Sequence, residues 1–287
     1  MACLTLRAFA KVNLSLRITS ARPDGFHDVR TILQAIDLFD RVKCDARRGP
    51  FEIRCDMPGV PIDRTNLVWK GAQLLWESAG RSGDARDAVV TLQKNIPMKA
   101  GLGGGSSDAA AALLGLRRLW KVRVPDERIH EMAATLGSDV PFFLVGGTAL
   151  GIGRGDEVYA LESLPRYSVV LVIPPFGVAT KDAYEWFDER GWTASVSHLA
   201  ETWLGRTTPL ANDLEAPVMV HHPVIGQLKQ RFTERGALMA AMSGSGSTVF
   251  GVFKSAGTAH RAARAFTKDG ARVLTARFLG RFTRRSR

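Results

Sequence analysis

Residues 4–18 alternate between apolar and small or polar positions with the two-residue period of a strand. Residues 29–38, 41–46 and 51–55 read as further strands, joined by Gly, Pro and Asp turns. The period then changes. Over 66–79, Leu67, Val68, Leu74, Leu75 and Ala79 recur at helical spacing. Residues 89–93 return to β-branched strand character, and an alanine- and leucine-rich helix is predicted from Ser106 onward. Another helix is predicted over 126–136, after Pro125, and Ser138 or Asp139 stands where it could cap a further one with Pro141 in the first turn. Strands over 148–152 and 156–161 bracket Gly153-Arg-Gly155. Beyond Ser163-Leu-Pro165 the pattern interleaves strands at 167–173, 238–242, 248–253 and 272–276 with helices at 181–189, 195–204, 223–235 and 256–267. The result is an α+β chain whose second half is expected to be small and antiparallel in part.

The loop between strand 89–93 and the following helix interrupts this alternation with Gly101, Gly103, Gly104 and Gly105, followed by Ser106 and Ser107. Four glycines in five positions exceed what a tight turn requires. Glycine permits positive φ and close approach of the backbone to a bulky anion. A helix N-terminus adds unpaired N–H groups and a partial positive charge, so the stretch is read as a polyphosphate cradle. It is not a Walker A loop, because no lysine precedes the hydroxyl residues. Nor is it a dinucleotide fingerprint, because Ser106 occupies the third glycine position.

Composition narrows the picture. The 287 residues suffice for one large or two ordinary domains, and a boundary near 163–165 divides an expected domain 1–163 from 164–287. Cys3, Cys44 and Cys55 form no CxxC pair, which suits a reduced, cytoplasmic setting. The six histidines form no HExxH and no carboxylate-histidine cluster, so no protein-built metal site is predicted. The best membrane candidate, 141–152, is short and broken by Gly146, Gly147 and Gly151. Strand alternation over 4–18 argues against reading the acid-free start as a transit peptide. The net charge is +11, and the tail carries Arg277, Arg281, Arg284, Arg285 and Arg287. The other basic residues are scattered without aromatic interleaving, which argues against a nucleic-acid partner. The tail is expected to be a solvated or loosely attached end, and the diffuse charge to attract an anionic nucleotide. A monomer or weak homodimer is expected.

Three segments belong together: Lys11-Val-Asn13, the run from Pro97 to Ser107, and Ser243-Gly-Ser-Gly-Ser247. In combination they resemble the GHMP kinases. Pro97, Ala100, Gly101, Leu102, Gly103, Gly104, Gly105, Ser106 and Ser107 match that superfamily's ATP loop, and Gly244, Ser245 and Gly246 its C-terminal glycine motif. Ala10-Lys-Val-Asn-Leu14, Arg22-Pro-Asp-Gly-Phe-His27, Leu136-Gly-Ser-Asp-Val-Pro-Phe142 and Asn212-Asp213 resemble the branch that acts on a cytidine diphosphate-linked methylerythritol in non-mevalonate isoprenoid synthesis. The resemblance runs from about residue 7 to 253.

It implies a two-domain GHMP kinase architecture, with a ribosomal protein S5 domain 2-like fold followed by a ferredoxin-like fold. ATP and Mg²⁺ are implied as co-substrate and ion. Asp139 is implied as the base and Lys11 as its partner: a carboxylate takes the proton as the O–P bond forms, and an ammonium offsets charge on the reacting oxygens. The resemblance further places His27 on the cytosine edge, Phe26 and Tyr184 as stacking aromatics, Asn13 as an orienting group, and Asn66 and Lys94 in the adenine pocket. Phe26 stands where the family usually has Tyr, so a hydroxyl contact is missing. A homoserine- or mevalonate-type kinase, or a nucleotide-binding regulator without catalysis, are the alternatives.

Overall fold

The computed structural model describes residues 3–189, 211–267 and 271–282. Its first two strands are longer than the alternation pattern suggests. β1 (Cys3–Ala21) and β2 (His27–Pro50) form an antiparallel hairpin, turned at Gly25 with φ 81° and closed by the Arg22 N–H donating to the Phe26 carbonyl at 2.8 Å. β2 fuses the two strands predicted at 29–38 and 41–46. The acidic break between them is held in the sheet by pairing with β1 along one edge, which overrides local preference.

Along its other edge β2 pairs with β5 (Thr148–Ile152) through Thr31–Gln34 and with β4 (Arg86–Gln93) through Arg41–Ala46. β3 (Glu52–Cys55) lies parallel to β4, and β6 (Glu157–Ala160) antiparallel to β5. The sheet order is therefore β3-β4-β2-β5-β6, with β1 against β2. α1 (Leu67–Ser78), α2 (Gly104–Leu119) and α3 (Asp126–Leu136) are amphipathic, and they join the sheet in a core that includes Val42, Val90, Leu75, Leu113 and Ile129. The short α4 (Phe142–Val145) starts at Pro141 with no side-chain cap, so neither Ser138 nor Asp139 serves as the expected cap.

The second sheet contains β7 (Ser168–Ile173), β8 (Met239–Met242), β9 (Val249–Phe253) and β10 (Arg272–Arg277) in the order β10-β7-β9-β8. All its pairings are antiparallel, more regular than the sequence pattern implied. α5 (Thr180–Glu189), α6 (Glu215–His221), α7 (Val224–Glu234) and α8 (Ala256–Thr267) complete a ferredoxin-like arrangement. β7 is buried at every position because both its faces are covered. Val170 and Val172 meet α7 and α8 residues, whereas Val169 and Leu171 meet Ala10, Val12 and Leu14 of β1. β1 is thus the seam between the two sheets. Its even positions fill the core, and its odd positions Lys11, Asn13 and Ser15 form a polar row at 2–3% exposure on the opposite face.

Residues 211–213 extend the seam. Leu16 exchanges backbone hydrogen bonds with Ala211 and Asp213 at 3.0 and 2.9 Å. The Asn212 amide donates to the Met242 and Gly244 carbonyls at 3.0 and 2.7 Å while its oxygen accepts from the Leu214 N–H. Asp213 binds the Arg17 guanidinium and the Ile18 N–H.

The tail departs from expectation. As far as residue 282 it returns to the first sheet, with the Leu279 N–H donating to the Ala35 carbonyl and Phe282 packed 5.2 Å from Phe9. Arg284, Arg285 and Arg287 lie outside the described residues, as does the helix predicted over 195–204. Among the described residues, no helix is long and apolar enough to cross a membrane.

Asn212 is buried and makes two hydrogen bonds across the seam and one local one, so Asn212→Ala strands two carbonyls and one N–H. The expected loss is about 2–3 kcal/mol of folding stability, read by urea unfolding. A change below about 0.5 kcal/mol would show that these groups find other partners.

Candidate active site

The polar row of β1 opens into a cleft of about 1020 Å³ between the two sheets. Two glycine loops form its floor. Gly101 has φ 73°, and a Cβ there would lie 2.1 Å from the Ser243 carbonyl oxygen, so backbone meets backbone with no room for a side chain. A single hydroxyl fastens the loops together: Ser243 Oγ donates to the Gly101 carbonyl at 2.8 Å and accepts from the Asn13 N–H at 3.3 Å.

Lys11 stands at this junction. Its Nζ donates to Asn13 Oδ1 at 2.6 Å and lies 3.3 Å from the Asp139 carboxylate. A Cβ on Gly103 would come within 3.2 Å of Lys11 Cε, and one on Gly244 within 3.4 Å of its Nζ. The Lys11 side chain is 4% exposed and that of Asp139 is 39% exposed. The ammonium is therefore fixed and the carboxylate open to the cleft. Asn13 has its amide oriented by the same chain of bonds, since its Nδ2 donates to Thr31 Oγ1 at 2.8 Å and Thr31 donates in turn to the Ser15 carbonyl.

α2 begins at Gly104, two residues earlier than predicted, with Gly103 (φ 71°) as its first flanking residue and no side-chain cap. Its leading residues Gly104 to Ser106 line the cleft, and a helix start without a side-chain cap leaves N–H groups suited to an anion. Ser106 lines the cleft. Ser107 does not: it is buried, with its hydroxyl donating to the Phe9 carbonyl at 2.7 Å. Pro97, Ala100, Leu102 and Gly105 line the same wall.

The end of the cleft near Asn66 and Lys94 combines apolar groups with engaged polar ones. Asn66 is the N-cap of α1, accepting from the Val68 N–H at 2.9 Å and donating to the Pro61 carbonyl. Lys94 binds Asp40 and, at 2.6 Å, Asp108, and its side chain is 4% exposed. Both residues border the cleft, but with their polar heads turned to protein partners. Asp40 also accepts from the N–H groups of Asn95 and Ile96, so the trio ties the exit of β4 to the second turn of α2. Two carboxylates share one ammonium here, and Asp108 Oδ1 has no hydrogen-bond partner. Burial, with the Asp40 charge adding to it, pushes the Asp108 carboxyl up to about 7 against the opposing pull of Lys94. Burial also works against the charged form of Lys94, but the two aspartates outweigh it and raise Lys94 above the ordinary lysine value.

At the opposite end, His27 stacks on Tyr184 at 5.0 Å and meets the edge of Phe187. Its Nε2 lies 2.8 Å from Asp188. Burial, and then the negative charge of Asp139, hold the Tyr184 phenol above its ordinary value. Phe26 is exposed and faces the Arg154 guanidinium at 5.5 Å instead of Tyr184. Gly246 lines the cleft beside Ser245, whose hydroxyl is 3.1 Å from that of Thr180. Asp188, Arg154, Asp40 and Asp108 were missed at the sequence level. For Asp188 a signal was present, because it follows Tyr184 by one helical turn. Asp40 had none, since its partners lie more than fifty residues away.

A family model described as the GHMP kinases N terminal domain matches residues 66–147, and one described as GHMP kinases C terminal matches 183–272. The 4-diphosphocytidyl-2-C-methyl-D-erythritol kinase of Geobacter sulfurreducens is 41% identical over 263 residues, covering 91% of this chain and 93% of that protein. The protein of the same name from Pelotomaculum thermopropionicum is 37% identical, covering 96% and 97%. A crystal structure of 4-(cytidine 5'-diphospho)-2C-methyl-D-erythritol kinase superposes with a TM-score of 0.80 at 33% identity, covering 96% of this chain and all of that one. Homoserine kinase from Cytophaga hutchinsonii shares the fold, with a TM-score of 0.72 at 19% identity, covering 98% of this chain and 96% of that one.

The Asp108 carboxyl sits higher in the fold than in the unfolded chain, so the native state binds its proton more tightly. Its stabilising contribution is full below about pH 4 and is lost as pH rises toward about 7. Asp108→Asn removes that dependence. Urea unfolding at pH 5 and pH 8 should shift the stability difference between the two proteins in favour of the variant by about 1–3 kcal/mol at the higher pH. An unchanged difference would mean that Asp108 titrates as it does in the unfolded chain.

Proposed function

The chain belongs to the GHMP kinases and, within them, to the 4-diphosphocytidyl-2-C-methyl-D-erythritol kinases; from that membership we propose that it transfers the γ-phosphoryl group of ATP to the 2-hydroxyl of 4-diphosphocytidyl-2-C-methyl-D-erythritol. The observation that carries the catalytic part is the Lys11–Asp139 contact at the junction of the two glycine loops. Phosphoryl transfer asks little covalent work of a protein; it needs reactants aligned and charge offset. In this reading Asp139, open to the cleft, accepts the proton of the attacking hydroxyl. Lys11, immobilised by Asn13, offsets charge on the oxygens beside it. The first turn of α2 and the N–H groups of Gly101–Gly105 hold the phosphates.

The adenine would rest against Val60, Leu67, Ile96 and Met98, which line that end of the cleft. Asn66 and Lys94 would shape this wall through backbone and stem, since their heads are engaged elsewhere. The cytosine would lie at the other end, its face against Phe26 and its edge toward His27, with Tyr184 backing the histidine. Ser245 and its flanking glycines would adjoin the substrate near the reacting hydroxyl.

Mg²⁺ fits the donor chemistry in one specific way. Among the described residues, no group of three or more His, Cys, Asp or Glu side chains could cage a metal. A magnesium ion typically keeps its waters and arrives on substrate phosphates with one or two protein oxygens. The Ser106 hydroxyl on the first turn of α2 would supply one, and the ion would screen the phosphate charge. We take residues 1–163 and 164–287 as the two domains, a division supported by the break between β6 and β7.

ADP release tests the reading. The cytidine diphosphate-linked methylerythritol should support turnover, and homoserine or mevalonate should not; preference for either would sink the assignment. In the same assay, Asp139→Asn should lower kcat by about 10³-fold or more with ATP affinity nearly intact. Near-normal turnover would remove Asp139 from the mechanism. His27→Ala should raise KM for the cytidine substrate far more than KM for ATP, and equal effects on both would make His27 a structural residue.

A further inference from the structure

α5 grips one imidazole in three ways. Tyr184, Phe187 and Asp188 occupy positions i, i+3 and i+4 and therefore share a helix face. Tyr184 stacks on the His27 ring at 25° between planes, Phe187 meets its edge at 86°, and Asp188 Oδ1 lies 2.8 Å from Nε2. The histidine side chain is 8% exposed, whereas that of Asp188 is 56% exposed. Packing alone explains the two ring contacts. The carboxylate adds chemical information, because an ionised carboxylate only accepts hydrogen bonds and so requires the proton of the imidazole to sit on Nε2. Among the described residues, Asp188 is the ionisable group in hydrogen-bonding contact with His27.

Resting on the reading that His27 faces the base edge of a cytidine-bearing alcohol, we infer that Asp188 is a specificity-determining positioning residue: by holding the His27 proton on Nε2 it leaves Nδ1 as an acceptor, which selects a 4-amino pyrimidine over a 4-oxo one. The 4-amino group of cytosine donates and satisfies that lone pair. The 4-oxo group of uracil presents a second lone pair to it. To accept uridine, the neutral ring must move its proton to Nδ1, which turns the Nε2 lone pair toward the Asp188 carboxylate. A site built around a fixed donor or acceptor rejects the mismatched partner strongly, because the mismatch leaves a desolvated polar group unpaired. The backing residue thus sets the selectivity although it does not touch the base.

The substitution that isolates this role is Asp188→Asn. Asparagine has the same size and keeps a hydrogen bond to Nε2, but its amide can turn to present either an oxygen or an NH₂. It therefore preserves the α5–His27 contact while permitting both tautomers of the ring. Asp188→Glu retains an acceptor-only group. The probes are the cytidine diphosphate-linked methylerythritol and its uridine diphosphate counterpart. ADP release is measured with both compounds at one pH for all three proteins. Wild-type protein should favour the cytidine compound in kcat/KM by about 100-fold or more. Asp188→Asn should reduce that ratio at least tenfold, chiefly through a gain with the uridine compound, and Asp188→Glu should retain most of it.

A wild-type ratio kept in Asp188→Asn would overturn the inference. So would a parallel loss with both substrates in Asp188→Asn, because a purely structural contact would act on both alike. A wild-type protein that turns over both compounds equally would overturn it as well. Failure of the wild type to act on the cytidine compound would instead refute the proposed function itself, and that result is read first.

Discussion

The close approach of two backbones governs this molecule. At Gly101 the chain passes so near the Ser243 carbonyl that a methyl group would overlap it, and Ser243 Oγ fastens the two loops. That contact brings the middle of the chain against residues almost 150 positions later, and it encloses the Lys11 ammonium between Gly103 and Gly244. Lys11 then meets Asp139 with its other neighbours already fixed. Buried ammonium groups are costly unless paired and hydrogen-bonded. Here the partners are Asn13 and Asp139, and Asn13 is itself held by Thr31. Each polar group around the ammonium thus has a protein partner that orients it, an arrangement suited to catalysis by alignment and electrostatics.

The seam strand β1 makes this possible. Its even positions are committed to the core shared by the two sheets, so its odd positions must face the cleft. A one-residue slip would exchange the two faces and bury leucine where lysine is needed. Residues 211–213 and the returning tail both pin the region: the first lock the edge of β1, and the second brings Leu279 onto Ala35, the residue paired with Lys11.

A second cluster works by a different compromise. Asp40, Lys94 and Asp108 tie a strand exit to a helix start beneath the first glycine loop, leaving more negative than positive groups in a buried place. The elevated Asp108 carboxyl is the physical consequence. Such a trio specifies where the loop begins and ends more than it adds stability, since buried ion pairs gain little over apolar packing.

Much of this was legible in the order of residues. Alternation revealed β1, the glycine-serine run marked a loop of close backbone approach before a helix, and the spread of short motifs pointed to a family whose two-domain α+β architecture the coordinates bear out. Those features are local, or depend on residue type at fixed spacing, and so they survive in one dimension. Contacts between distant segments were not legible. Nothing near Asp40 signals that it caps residues 95 and 96, nothing near Ser107 shows that its hydroxyl is taken by Phe9, and the arginine-rich ending conceals a phenylalanine that anchors it. Whether a polar head faces the cleft or a protein partner depends on which segments the fold brings alongside it. For Lys94, Asn66 and His27 only the tertiary structure decided that, because the competing partners become neighbours only after the chain has packed.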